Sequence, residues 1–407
     1  MTRQSSIAIV GAGIGGLAAA ALLADAHRVT LYDQFPEPRP IGSGLVIQPV
    51  GQAVLDLCGA GQEARALGAR ITRMQGDEAA RGRRVLDVRY DRRGGPVHGL
   101  AIHRAALFAA LYRAMQARGG AVRTATRMVS APLDGAHRWL VDDTGQRHGP
   151  FDLVVDAAGA GSALSPLVAR PLPYGAIWGT VPWPEATDLP PDELRQRYRA
   201  ANRMAGVLPL GRIDPTGPML AAVFWSMPRA ALDLWPQADI AAWKTEVTTL
   251  WPAMEPFLAT IRGTGDMIPA RYGHGTLRRP FAPGLVHVGD AAHRASPQLG
   301  QGANMALLDA LALAQALCAE PEDPGPHYAW ARRWHVRLYQ TMSAAFTPQY
   351  QSDSRLLPVL RDHLLAPLSQ FGPLPAILTR LVRGDLIPPM AGQPFPQDGQ
   401  GPRAAPS

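Results

Sequence analysis

The run Ile7-Ala-Ile-Val-Gly11-Ala-Gly13-Ile-Gly-Gly16 and the stretch that follows it to Asp33 decide how this chain folds. Residues 7–10 have the length and apolarity of a buried strand. The glycines lead into an alanine- and leucine-rich helix over 17 to about 26, and a second strand at 29–32 ends on Asp33. Strand, glycine turn, helix, strand and acid stand in the order of the dinucleotide fingerprint. The glycines allow backbone to approach a pyrophosphate at a helix start, and Asp33, 22 positions after Gly11, can accept hydrogen bonds from the ribose of an adenosine.

Far along the chain, Gly284-Leu-Val-His-Val-Gly-Asp-Ala-Ala-His293 supplies a second site on the same logic. Residues 285–288 read as a buried strand that Gly289 and Asp290 stop. A polar turn with Pro297, Gly300 and Gly302 follows, then a long apolar helix beginning near Ala303, with Asn304 and Asp309 in its first turns. The Asp290 carboxylate can accept from sugar-like hydroxyls. The helix start offers unpaired N–H groups and a positive dipole end to an electron-rich group.

At 407 residues the chain exceeds one ordinary core, so two domains are expected. Its 18% charged residues are few for a globular protein, which predicts a well-buried, enzyme-like body. The net charge of +7 comes almost wholly from arginine, Lys244 being the only lysine, and the arginines are scattered without aromatic-interleaved basic runs. That pattern argues against nucleic acid as a partner and leaves a general attraction for anionic ligands. Cys58 and Cys318 lack metal spacing and read as reduced core residues, consistent with a cytoplasmic chain. Arg3, the apolar run at 17–23 and Ala24-Asp-Ala26 imitate a signal peptide, but cleavage there would discard the glycine turn. No stretch reads as a membrane span.

Between the two motifs, residues 35–49 read as a loop, 54–67 as a helix, and 70–101 as an exposed hairpin around Arg92-Arg-Gly-Gly95. His103-Arg104 starts a helix to Arg118, a strand and hairpin occupy 122–141, and Asp152-Leu-Val-Val-Asp156 is another buried strand. Region 170–268, with Trp178, Trp183, Trp225, Trp235 and Trp251, reads as a mixed or antiparallel sheet with helices. Residues 328–342 form a helix, 354–384 are amphipathic but broken by Pro358, Pro367, Pro373 and Pro375, and a disordered tail is expected from Ala391.

With both motifs in place, residues 5–345 resemble the FAD-dependent aromatic hydroxylases, the single-component (class A) flavin monooxygenases of the p-hydroxybenzoate hydroxylase fold. The resemblance rests on Gly11 to Gly16 with Asp33, on Arg104 opening an Arg-x-x-Leu helix start, and on Gly289-Asp290-Ala-Ala-His293 with Pro297 and Gly300-Gln-Gly-Ala-Asn304. It implies an α/β chain: a Rossmann-type FAD-binding domain (GR2-like) in three parts, 1–69, 102–168 and 269–325. An inserted mixed or antiparallel β-sheet substrate domain would take 70–101 and 169–268, with a C-terminal helical segment at 326–390 and the tail at 391–407.

The resemblance further implies that Gly11, Gly13 and Gly16 take the FAD pyrophosphate, Asp33 the adenosine ribose and Arg104 the phosphate side. Gly289 and Asp290 would hold the ribityl hydroxyls, while Pro297, Gly300, Gly302, Ala303 and Asn304 lie beside the isoalloxazine. One family element is altered. The family carries Gly-Ala-Asp-Gly and then an Arg-Ser pair, associated with FAD and NAD(P)H. Here Gly159 and Ser162 survive, but Ala158 replaces the aspartate and Gly161 the arginine.

The implied chemistry is flavin-borne. Flavin reduced by NAD(P)H reacts with O2 to a C4a-hydroperoxide that hydroxylates or epoxidises an aromatic or bulky apolar molecule, with no triad or metal. Gln48, Trp178, Met219, Phe224, Arg271 and Tyr272 are the candidate substrate residues, and His293 reads as a structural hydrogen-bonding residue. The altered turn leaves open a flavin oxidase or reductase, or a non-catalytic flavin-binding protein. Membrane contact is not the leading expectation, although arginines flank leucines in the C-terminal segment.

Overall fold

In a computed structural model, residues 4–37, 43–91, 97–392 and 395 are described. The motifs meet in a six-stranded sheet ordered Phe281–Ala282, Leu285–His287, Leu153–Asp156, Ser6–Val10, Arg28–Tyr32, Ala121–Arg123, parallel apart from Phe281–Ala282. Ile7–Val10 and Leu153–Asp156 are buried, as parallel strands covered on both faces require. Helices Ile14–Leu23, Arg104–Ala117 and Gly302–Ala319 cover one face, where the run Ala18 to Ala21 is fully buried and its small side chains admit close helix packing. On the other face lies a small antiparallel sheet contributing Met128, Leu140 and Phe151. In register, Val10 pairs with Tyr32 and Asp156, and Asp156 with His287. The carboxyl ends therefore align, and Gly11, Asp33, Ala157 and Gly289 open onto one edge.

The second layer is an eight-stranded mixed sheet running His293–Arg294, Ile268–Thr276, Arg170–Pro182, Leu220–Pro228, Arg203–Gly211, Glu193–Arg199, Arg73–Glu78, Arg84–Arg89. All its pairings are antiparallel except Glu193–Arg199 with Arg73–Glu78. One face carries Trp225 and, from flanking helical turns, Trp235, Trp243 and Trp251. The tryptophans that mark this region in the sequence thus pack mostly on the outer side, and Trp178 alone of them faces inward. Helix Gly302–Ala319 is long and apolar enough to cross a membrane, but it is the central core helix of the first layer.

Several local readings change. The 35–49 loop contains a strand, Gly44–Ile47, because Leu45-Val-Ile finds a partner in Gly99–His103. The expected 54–67 helix starts earlier and is split into Pro49–Cys58 and Gly61–Leu67. Proline suits the first turn, and Gly59 takes a left-handed conformation (φ 83°) that ends the first piece. The hairpin turns between Arg73–Glu78 and Arg84–Arg89, with one face in the core, whereas the Arg92–Gly95 turn lies outside the described residues. The helix expected at 328–342 runs over Pro324–Tyr350. Met390 is buried and the Ala391 N–H donates to Ala331 O (2.9 Å), so the chain stays docked past the expected start of the tail. Phe395 also packs on the core, and the rest of the tail lies outside the described residues.

Candidate active site

At the carboxyl edge the first glycines divide their work. A Cβ on Gly11 (φ 103°) would stand 2.6 Å from Ala157 O, and one on Gly16 only 1.9 Å from Gly11 O, so both are demanded by strand-helix packing. A Cβ on Gly13 would meet nothing within 4 Å, leaving the start of helix Ile14–Leu23 open to a ligand, with no side chain capping its N–H groups. Asp33 accepts from the Ala12 N–H (2.7 Å) and the Phe35 N–H (2.9 Å), so it shapes the glycine turn from the position expected for a ribose contact.

Between the layers lies a cavity of about 410 Å³. Arg104, Asp290, Pro297, Gly300, Gly302 and Ala303 line it, with the uncapped start of helix Gly302–Ala319. His103 caps its own helix by accepting from the Ala105 N–H (3.1 Å), and this fixes where Arg104 emerges. Among the described residues, neither the Arg104 guanidinium nor the Asp290 carboxylate has a hydrogen-bonding partner. Both are reachable from the cavity yet surrounded by protein. Burial lowers the Arg104 pKa, and burial raises that of Asp290 against the opposing pull of His293, Arg104 and Arg294. An unpaired cation and anion facing one cavity, beside an open helix start and glycines with no Cβ, suit a ligand bearing phosphates and hydroxyls. The residues fit FAD.

Asn304 does not face the cavity. Its side chain is fully buried, accepting from the Gln48 N–H (2.8 Å) and donating to Gly300 O (3.0 Å) and Val46 O (3.3 Å). It staples the glycine turn to strand Gly44–Ile47. Gly289 (φ 57°) is likewise internal, packed under Ala306. Asp309 holds this corner: it accepts from the Gly289 N–H (2.9 Å) and pairs with His293 Nε2 (2.7 Å) and Arg332 Nε (2.7 Å), all buried. His293 is therefore a structural partner. Arg332, on the long helix, carried no signal in the sequence.

Of the substrate candidates, Gln48, Trp178, Phe224 and Tyr272 line the cavity, whereas Met219 and Arg271 do not. Strand alternation explains the difference. Ile268, Ala270 and Tyr272 point inward, so Arg271 points outward, where it pairs with Asp233. Leu220, Ala222 and Phe224 lie on the inner side, and Met219 is out of phase with them. The remaining wall, missed in the sequence, comes from Met74, Leu86 and Val88 of the hairpin, Leu194, Tyr198, Met204 and Leu208 of the sheet, and Tyr339, Phe346, Leu378 and Leu381 of the C-terminal helices. Gln48 is fully buried. Tyr90 OH donates to its Oε1 (2.7 Å), which leaves Nε2 without an acceptor. Trp178 Nε1 donates to Tyr272 OH (2.8 Å), and burial pushes the Tyr272 phenol up to about 12, so it stays a neutral donor.

The altered turn Gly159–Gly161 is held by neighbours. Asp156 accepts from the Ala158 N–H (3.2 Å) and Ser162 Oγ (2.8 Å), and pairs with His287 Nδ1 (2.7 Å). Arg294 donates to Ala160 O and, through Nε, to Asp290 O (3.2 Å). A carboxylate and a guanidinium thus support the turn from Asp156 and Arg294. Because Asp156 already satisfies the turn, Ala158→Asp adds a second negative charge beside it. Anaerobic stopped-flow reduction by NAD(P)H is expected to be no faster in that variant. A faster reduction would show that the missing carboxylate limits the step.

The FAD binding domain family matches residues 274–327, and the NAD(P)-binding Rossmann-like domain family matches residues 9–39. The chain is 30% identical over 346 residues to 3-amino-4-hydroxybenzoate 2-monooxygenase PtmB3 of Streptomyces platensis, covering 80% of this chain and 82% of that protein. It is 29% identical over 392 residues to 3-amino-4-hydroxybenzoate 2-monooxygenase of Streptomyces cremeus, covering 87% of each. Klebsiella pneumoniae HpxO, solved with FAD and uric acid, superposes with a TM-score of 0.76 at 18% identity, covering 93% of this chain and 97% of that one. The chain belongs to the FAD-dependent class A flavin monooxygenases, which use NAD(P)H and O2 to hydroxylate aromatic molecules.

Proposed function

We propose that this monooxygenase acts on a neutral, bulky aromatic or apolar molecule oriented by an amide donor, Gln48 Nε2. The observation that carries this reading is the charge inventory of the cavity. Among its described lining residues, Arg104 and Asp290 are the charged groups facing in, and His293 is committed to Asp309. The rest of the wall is Met, Leu, Val, Phe, Tyr and Trp, with a few neutral polar groups. A carboxylate moved into that wall would lose its hydration without gaining a cation. The named relatives act on a benzoate; this chamber favours a substrate without that group.

Bound FAD supplies the redox chemistry, taking electrons from NAD(P)H and passing oxygen from O2 to the substrate. Gly13 would admit its pyrophosphate at the turn that Gly11 and Gly16 allow to form, Asp33 would adjoin its ribose, and Gly159 belongs to the turn beside them. Arg104 would neutralise phosphate charge and Asp290 would accept from hydroxyls. Pro297, Gly300, Gly302 and Ala303 would border its ring at the positive end of the helix dipole, with Gly289 and Asn304 setting that backbone. Gln48 and Tyr272 would donate to substrate oxygen or nitrogen, and Trp178 and Phe224, whose rings stack on each other at 4.4 Å, would border it on one side. Tyr339, Phe346, Leu378 and Leu381 would keep water from the reacting atoms. In this division the parallel layer carries the cofactor, and the eight-stranded sheet with the C-terminal helices carries the substrate.

The test is NAD(P)H and O2 consumption with matched pairs, a neutral phenol and the same ring bearing a carboxylate. The neutral member should be preferred by about tenfold or more in kcat/KM, with one hydroxylated product per O2. Preference for the carboxylate overturns the reading. Gln48→Leu should raise KM for an oxygen-bearing substrate about tenfold while leaving that for a plain hydrocarbon ring unchanged. Equal effects on both would remove Gln48 as the orienting donor.

A further inference from the structure

A buried cluster of hydroxyls, used by neither the cofactor nor the reading above, stands at the edge of the cavity. Ser296 precedes Pro297 in the glycine-rich turn. Ser343 and Thr347, four residues apart, share a face of helix Pro324–Tyr350. His274 lies two residues beyond Tyr272 on strand Ile268–Thr276, in phase with the cavity-lining Ile268, Ala270 and Tyr272. Ser296 and Ser343 line the cavity. Ser296, Ser343 and Thr347 are buried and His274 is half-buried. Hydroxyls in such a place cost stability unless each is hydrogen-bonded, so the destination of every proton matters.

A hydroxyl has a single proton to give and lone pairs with which to accept. Thr347 Oγ1 gives its proton to Ser343 O, one helical turn back (2.6 Å). Ser296 Oγ is hydrogen-bonded to Thr347 Oγ1, whose proton is already spent, so Ser296 is the donor of that pair. Ser343 Oγ then finds protein acceptors at His274 Nε2 (3.2 Å), Ser296 Oγ (3.2 Å) and Ser296 O (3.5 Å). With Nε2 bare, the Ser343 proton goes to His274. With Nε2 protonated, His274 donates to Ser343, whose proton passes on to Ser296. Either state of the imidazole gives the same result: every hydroxyl proton is given to protein. Ser296 Oγ and Ser343 Oγ each accept at most one bond, so each keeps a lone pair to spare. The cluster can accept from a ligand, and it cannot donate to one without breaking a bond.

We infer that Ser296 and Ser343 are specificity-determining acceptors, which select a substrate presenting a hydroxyl or amine N–H to them while Gln48 Nε2 takes an acceptor elsewhere on the same molecule. The inference rests on the neutral substrate proposed above and narrows it to a ring bearing both an acceptor and a donor. A carbonyl or ether oxygen set against the two serines would meet lone pairs with no proton between them, and would lose its hydration without replacement. An apolar group there would gain packing alone. A hydroxyl or amine gains a hydrogen bond that the cluster is built to receive, and a site of that polarity rejects an analogue lacking the proton.

The test is binding of two neutral ketones of matched shape, 4-hydroxyacetophenone and 4-methylacetophenone, to the FAD-loaded enzyme, followed by perturbation of the flavin absorption spectrum. The wild type should bind the hydroxy compound at least about tenfold tighter, although its hydroxyl is the costlier group to desolvate. Ser343→Ala should bring that ratio to about one or invert it, with FAD content unchanged. If Ser343→Ala loses FAD, Ser343→Cys, whose sulfur is only a weak acceptor, carries the same expectation. Equal or tighter binding of the methyl compound by the wild type overturns the inference, as does a preference that the Ser343 variant retains. Gln48→Leu should weaken both ketones alike and leave their ratio unchanged, so the two contacts are read apart. If 4-hydroxybenzoate binds and neither ketone does, the neutral-substrate reading falls and this inference falls with it.

Discussion

Asp290→Ala is expected to give a folded protein that purifies with little or no FAD. Its carboxylate has no hydrogen-bonding partner among the described residues, so the fold loses little when it is removed. Its backbone stays in place, because Gly289 is tied to Asp309 and Asp290 O accepts from Arg294. What disappears is a charged acceptor for ligand hydroxyls. One or two such hydrogen bonds, worth about 1.5–3 kcal/mol each, correspond to a loss of affinity of about tenfold to more than a hundredfold. Flavin stoichiometry after purification, and titration of stripped protein with FAD, measure it. Unchanged stoichiometry would remove Asp290 from the cofactor site. Asp290→Asn keeps an acceptor without the charge and should fall between. Because burial holds the Asp290 pKa above its ordinary value, FAD should loosen on acidification before ordinary carboxylates titrate.

The second large effect concerns stability. Asp309 is fully buried, and burial alone would raise its pKa, yet His293 and Arg332 bring it down to about 2 from 3.8. Asp309→Ala strands the Arg332 guanidinium, 2% exposed, in the core, which should cost about 3–5 kcal/mol. It also frees the Gly289 N–H and loosens the turn carrying Asp290, so FAD affinity should fall as well. Urea unfolding midpoints measure the first effect and FAD titration the second. A midpoint within experimental error of wild type would show that the cluster is not a stabilising centre. A lowered folded pKa means the contribution is complete above the ordinary value and is lost as pH falls from 3.8 toward about 2. Asp309→Asn should flatten that acid limb.

The parallel core was legible because its signals are local. Ile7–Val10 and Leu153–Asp156 are continuous apolar runs, and Gly11 and Gly16 stand where any Cβ would strike backbone. Asp290 and Arg104 sit next to motifs that place them, the first at a strand end, the second after a self-capping histidine. Other assignments failed where orientation mattered. Arg271 and Tyr272 are adjacent and look equally suited to a ligand, but one faces Asp233 outside and the other the cavity. The motif residue Asn304 proved to be a staple whose partners, Val46 and Gln48, lie more than 250 positions away. The altered turn at Ala158 takes its hydrogen bonds from Asp156 and Arg294, and Arg294 carried no signal in the sequence.

From its sequence alone, the chain determined a Rossmann-type layer with its strand-end glycines and acid, because strand period, glycine tolerance and helix starts are properties of a few neighbouring residues, and the resemblance of its motifs to a known family added the flavin. Only the tertiary structure decided which side of each second-sheet strand faces the cavity, which polar groups are consumed by distant partners, and that the C-terminal helices close the chamber with one face while exposing leucines on the other. Those outcomes depend on the register and docking of elements up to hundreds of residues apart. A shift of one residue in a strand reverses every side chain on it, and no local pattern carries that information.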